Sequence, residues 1–288
     1  MAAMLWLQLV AKALATALIV ISASVVAEAL GPVWGAMIAS LPVSAGPAYV
    51  FLAMQHGPDF VATSTLNSAA ANAATGLFLI TYGILTKRMP PWGSLGVAVA
   101  VWLAVSLAVQ QTAWTMTTAV ALNLAVYGPG LVFVSRDVAA EFEPARPSQR
   151  QWFDLPLRAV SVAAFVSLVV AVSAALGPAA TGIAAVFPVS LISLIVILRP
   201  RLGGPTTARL ATNALLPMLG FGIMLFVMHV AVQSSGVTAA FGFALGLHLL
   251  VGRHAPAPGV RALCVGPLST QPSRSNGTCS AALGGVEP

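Results

Sequence analysis

Charge is scarce in this chain. Seven acidic and thirteen basic residues make up 7% of its 288 positions, against about 25% in soluble domains. With a mean hydropathy of +0.93, that scarcity excludes a water-facing globule. Cysteine is nearly missing too, since Cys264 and Cys279 both fall in the last segment and read as reduced and inert. The motifs GxxxxGK[ST], HExxH, CxxC and GxSxG are absent. No phosphate cradle, zinc site or activated nucleophile is therefore encoded in a known form, and the chain is not expected to be an enzyme or to hold a cofactor or metal. No folded basic domain is present, so the net charge of +6 does not describe a nucleic-acid surface.

What is present is apolar length. Hydrophobic residues make up 58% of the chain, and crossing a hydrocarbon core of about 30 Å takes about 20 apolar helical residues. About nine such segments can be placed, near 7–29, 32–54, 61–86, 94–111, 114–135, 157–175, 178–198, 207–231 and 236–252. They are rich in Ala, Leu and Val without period-two alternation, which disfavours a barrel. The expected fold is all-α, a polytopic transmembrane bundle whose partner is the lipid bilayer.

The basic residues orient the bundle, because short cytoplasmic loops retain Lys and Arg. Lys87 and Arg88 follow span three, and Arg136, Arg146, Arg150 and Arg158 lie between spans five and six. Arg199, Arg201 and Arg209 lie between spans seven and eight, and Arg253, Arg261 and Arg274 follow span nine. Twelve of the thirteen fit one topology, with the N-terminus outside and the C-terminus inside, and Lys12 alone dissents. The implied location is an inner membrane, crossed several times. The acids Asp137, Glu141, Glu143 and Asp154 alternate with arginines and read as a solvated linker.

The sequence LGPVWGAMIASLPVS at 30–44 returns as LGPAATGIAAVFPVS at 176–190. The same offset of 146 pairs Lys12 with Arg158, Asn67 with Asn213, Gly76 with Gly222 and Gly96 with Gly242. Span one enters from outside and its counterpart, span six, from inside, so the copies form an inverted repeat of four helices, a linker helix and four helices. The expected units are 1–111, a linker helix and loop at 112–156, an inverted second copy at 157–252, and a flexible cytoplasmic tail at 253–288. This tail is rich in Pro, Gly and Ser and does not match span five, so either the plan is four plus one plus four or a tenth helix has been lost. The apolar N-terminal segment lacks a basic start and aligns with an internal span, so it reads as a transmembrane helix rather than a leader.

Inverted repeats with a central site recur among secondary transporters of small solutes, and that is the function the plan implies. The rival is a non-transporting accessory or assembly protein. Pro42 and Pro188 fall about ten residues into spans two and seven, where a proline frees carbonyls that need new partners. Ser44 and Ser190 offer hydroxyls beside those breaks. Together with Asn67 and Asn213 in spans three and eight, these six residues form the candidate substrate site; ordinary proline kinks and helix-to-helix hydrogen bonds are the competing reading. Asn72 and Asn123 add further amides. Glu28, at the inner end of span one, is a candidate proton relay or a solvated helix end. His229 and His248 lack a second ligand at helical spacing and read as core or interface residues. His56 and Asp59 belong to a short outer loop.

The stretch from Lys12 through LGPVWGAMIASLPVSAGPAYVFLAMQHGPDF resembles the small four-helix bacterial membrane proteins of the GlpM type, which carry a similar Gly-rich, Ala-Ser-Leu-Pro second helix. The resemblance covers about 8–111 and 155–252 and implies a fused, inverted pair of such units, without a substrate. In plan, the halves are also similar to drug and metabolite exporters with two inverted five-helix repeats.

Overall fold

A computed structural model describes residues 14–18, 21–22, 45–139 and 154–254. Lys12, Glu28, Pro42 and Ser44 lie outside the described residues. Those described are all-α beyond short turns. Seven helices follow one another: α1 (Ala45–Gln55), α2 (Pro58–Leu85), α3 (Pro91–Gln110), α4 (Met116–Ala139), α5 (Asp154–Ala185), α6 (Val189–Asn213) and α7 (Leu215–His254). Four stretches are long and apolar enough to cross a membrane, at Pro58–Leu85, Pro91–Gln110, Pro156–Ala185 and Val189–Gly236, and Met116–Val132 is a shorter apolar helix. This is a multi-pass membrane protein by helix length and hydropathy.

Prolines begin helices here because the first turn has no use for their missing N–H. Pro58 opens α2 after an extended Gly57, with Asp59 facing the positive end of the helix dipole. Pro91 opens α3 in the same way. The helices α5, α6 and α7 are interrupted instead at Gly177, Gly203 and Gly236, with φ of 76°, 77° and 74° and extended ψ, a region open in practice only to glycine.

At Gly177 the interruption is a reversal. Thr181 Oγ1 donates to the Ser173 carbonyl at 3.3 Å, although eight residues of straight helix would separate the two by about 12 Å. Further along, Arg158 reaches Ser190 at 2.9 Å. The residues before and after Gly177 are thus antiparallel arms. Gly203 turns the chain again, since both Arg199, before it, and Gly204, after it, lie against Thr86.

The axis of the bundle is α2, which packs against all six other helices. Its most apolar window is 72% buried, against 33% for α3, which makes α2 the interior helix and α3 a peripheral one. Small side chains make this possible, because association in lipid depends on close backbone approach. A Cβ on Gly182 would overlap the Ser64 carbonyl, and one on Gly76 would stand 2.9 Å from Tyr127.

Two neighbours run along α2 in opposite senses. Ser64 and Thr75 donate to the carbonyls of Pro178 and Val186, and Thr86 meets Arg199, so that stretch is parallel to α2. Beyond Gly203, Tyr82 bonds Thr207, Asn72 bonds Met218, Ala62 bonds His229 and Asp59 bonds Gln233, so this stretch is antiparallel. Basic Lys87, Arg88, Arg199 and Arg201 consequently share one end with Asp154, while Asp59 and Gln233 mark the other.

The polar layer and the broken helix at Pro188

The proline reading of span seven has a direct counterpart. Helix α5 stops at Ala185 and α6 begins at Val189, with Val186, Phe187 and Pro188 between them. Pro188, at φ −79° and ψ 47°, is the centre of a tight turn in which the Val189 N–H donates to the Phe187 carbonyl at 2.8 Å. Proline supplies no side-chain cap, and none is present at the start of α6.

Carbonyls released at such a break must be paired inside a membrane, and α2 supplies the donors. Ser68 Oγ donates to the Gly182 carbonyl, and Thr75 Oγ1 donates to that of Val186 at 3.4 Å. Trp102 Nε1 donates to Thr75 Oγ1 at 3.1 Å, while its ring meets Phe187 edge-on at 4.9 Å. Aromatic bulk from α3 and α5 thus closes one flank of the break, with Phe165 5.5 Å from Phe187. Tyr49 of α1 shares a hydrogen bond with Ser68.

One turn further along, Asn72 is fully buried. Its Nδ2 donates to Asn123 Oδ1 at 3.1 Å and to the Met218 carbonyl at 3.0 Å. Asn123 Nδ2 in turn donates to the carbonyls of Ala69 at 2.7 Å and Ala119 at 2.8 Å, and Tyr127 Oη donates to the Asn72 carbonyl at 3.0 Å. Helix α4 therefore contributes Asn123 and Tyr127 to the centre. Asn72 Oδ1 is buried without a partner.

No family model, curated protein or solved structure matches the chain. The site therefore has to be read from its own geometry.

The described candidate residues separate into three environments. Pro188 forms the break. Ser190 Oγ, two residues on, accepts from Arg158 Nε at 3.1 Å and a terminal guanidinium nitrogen at 2.9 Å. Asn67 is buried but turned onto its own helix, donating to the Thr63 carbonyl at 2.9 Å. Asn213 is exposed, at the last position of α6. Sequence spacing treats the two asparagines as equivalent, and the structure gives them different surroundings. The remaining members, Pro42 and Ser44, and the relay candidate Glu28 fall outside the described residues.

Three expectations are corrected. Asp154 is not part of a solvated linker: it begins α5 and holds Arg201 in a two-pronged ion pair at 2.6 and 2.8 Å. Arg158 is not a loop charge but a half-buried residue in the second turn of α5. His56 is more than a loop residue as well, since it stacks on Phe60 at 3.8 Å and bonds Ser173 at 2.8 Å. His229 Nδ1 donates to the Ala62 carbonyl at 2.8 Å, a packing role. The missed residues were Arg158, Thr75, Ser68 and Tyr49; for Arg158 the signal was its place opposite Lys12 in the repeat.

Proposed function

We propose that the chain is a secondary transporter of a small solute, built from two inverted four-helix copies joined by α4. The observation that carries this is the hydrogen bond from Asn72 to Met218, residues 146 positions apart, the offset at which the sequence repeats. Where two copies are related by a two-fold axis, a residue beside the axis touches its own counterpart. The antiparallel run of contacts between α2 and the stretch after Gly203 has the form that such an axis requires, and it supports halves that lie upside down relative to each other.

Several further features support the reading. The turns at Gly177, Gly203 and Gly236 fall between spans six and seven, seven and eight, and eight and nine of the nine-span plan. The shared basic end suits a cytoplasmic face with Asp59 and Gln233 outside. The break at Pro188 puts an uncapped helix start inside the bundle, a feature of transporter substrate sites. The resemblance of each half to four-helix membrane proteins fits the same construction.

The accessory-protein reading is favoured by one observation: nearly every buried polar side-chain atom among the described residues is bonded, the exceptions being Asn72 Oδ1, Ser106 Oγ and Ser167 Oγ. Accessibility separates the two. With Cys264 and Cys279 replaced by serine, a single cysteine at Ser190 is exposed to an impermeant thiol reagent in right-side-out and in inside-out vesicles. A transporter alternating between two states labels from both sides. Labelling from one side or neither contradicts transport.

A further inference from the structure

Among the described residues, Arg158 is a charge inside the bundle with no opposite charge bonded to it. Among the described residues its guanidinium bonds only the hydroxyl of Ser190. The carboxylate one turn earlier, Asp154, is turned onto Arg201. A cation in a transmembrane segment is costly and is kept where it pairs with something, and a serine hydroxyl does not neutralise it.

The hydroxyl carries the argument further. Its oxygen accepts two N–H groups from Arg158, so its own hydrogen remains as a donor, and no acceptor for it occurs among the described residues. The backbone adds two more donors. At the start of α6 the N–H groups of Val189 and Ile192 bond the carbonyls of Phe187 and Pro188, whereas those of Ser190 and Leu191, first-turn amides, have no carbonyl partner among the described residues. A proline at the cap position cannot satisfy them. The positive end of the α6 dipole faces the same place. Cation, hydroxyl hydrogen and amides are all donors, and the missing component is an acceptor with negative charge.

We propose that Arg158, the Ser190 hydroxyl and the first amides of α6 bind the oxyanion group of a small solute, a carboxylate or a free phosphate. Ser190 is half-buried, so a ligand can reach it. It lies about 20 Å along α6 from the turn at Gly203, at 1.5 Å per residue, which is deep in the bundle rather than at its rim. The sequence repeats the same chemistry: Lys12 and Ser44 stand at the positions equivalent to Arg158 and Ser190. Lys12 is also the one basic residue that breaks the orientation pattern, and a role in binding accounts for its retention there. The proposal rests on the transporter reading for its purpose and on the donor set for its existence.

The test is thermal unfolding of the purified full chain in dodecyl maltoside, whose head group carries no phosphate, in sodium acetate, sodium phosphate or sodium chloride at equal ionic strength. The expected result is a melting temperature raised by acetate or phosphate above its value in chloride, with the more effective salt identifying which oxyanion the site takes. Arg158→Gln abolishes that difference, and Arg158→Lys, which keeps the charge but loses the fork, weakens apparent affinity about tenfold or more. Ser190→Ala, a gentler change in case R158Q fails to fold, reduces the response with the arginine in place. Equal melting temperatures in the three salts overturn the proposal, as does a full oxyanion response in S190A or R158Q. Oxyanion stabilisation in a protein whose Ser190 position labels from one side only keeps this site and removes transport. Two-sided labelling without an oxyanion response does the reverse.

Discussion

Asn72 donates from Nδ2 to the main-chain oxygen of Met218 at 3.0 Å across an interval of 146 residues. On either side of that contact the partners diverge symmetrically: Asp59 with Gln233 and Ala62 with His229 toward one end, Tyr82 with Thr207 toward the other. The two helices therefore run antiparallel along these contacts. The tie is made by an amide in a layer where water is excluded, and such bonds between helices in lipid are worth about 0.6 to 2 kcal/mol.

Replacing Asn72 by Ala removes both donor bonds and strands Asn123 Oδ1, while the Met218 carbonyl keeps its place in the helical ladder of α7. Asn72→Ala is expected to lower stability by about 1 to 3 kcal/mol, the cost of leaving a buried acceptor unpaired, seen as an earlier thermal transition in detergent. Coupling to Asn123→Ala in a double-mutant cycle is expected at about 0.5 kcal/mol or more. Additive effects would mean that the two amides do not act as a unit.

Close approach of backbones gives a second expectation with an internal control. A Cβ at Gly182 meets the backbone of Ser64, which cannot swing aside, whereas Gly96 has nothing within 4 Å of that position. Gly182→Ala is expected to cost about 1 to 3 kcal/mol by overpacking. Gly96→Ala, in the interior of α3, is expected to be neutral or to stabilise by about 0.5 to 1 kcal/mol. The two melting curves, recorded side by side, decide it; similar behaviour would remove the packing account of α2.

Asp154 and Arg201 tie the start of α5 to α6 just before the turn at Gly203. Their side chains are 13% and 22% exposed, and the two bonds between them are short and charge-assisted. Asp154→Asn is expected to lower the melting temperature, with part of the loss recovered in the D154N/R201Q double variant. In the transporter account this pair holds the basic end shut, so D154N also speeds labelling of a Ser190→Cys probe from that side. Unchanged labelling would leave the pair with a purely structural role.

Much of the helical framework is legible in the sequence, for identifiable reasons. Spans at 61–86, 94–111 and 114–135 correspond to α2, α3 and α4 within a few residues, because prolines mark the starts of α2 and α3 and apolar length marks the extent of all three. The break at Pro188 is legible because a proline ten residues into a span removes a helical donor and frees carbonyls there, although Pro129 shows that a helix can also continue past such a residue. Which polar groups meet was not. In α2 small and apolar residues lie all round the helix, so no face announces itself. Asn67 and Asn72, five positions apart, point about 140° apart at 3.6 residues per turn: one turned onto its own backbone, the other into the centre. Asn213 is level with Asn67 in the repeat but stands where α6 ends, and Arg158 looked like loop charge because spacing alone does not show that α5 begins before it.

The account's central claim is that the halves lie upside down in the membrane, and one pair of positions tests it most directly. Lys87 and Gln233 are 146 residues apart, equivalent places in the two copies; Lys87 adjoins Thr86 at the end held by Arg199, and Gln233 bonds Asp59 at the other. Single cysteines at the two positions, in a chain without Cys264 and Cys279, are treated with an impermeant thiol reagent in intact cells. The account predicts labelling at position 233 and protection at position 87 until the membrane is opened. Labelling of both, or protection of both, would place equivalent residues on one side and contradict the inverted arrangement.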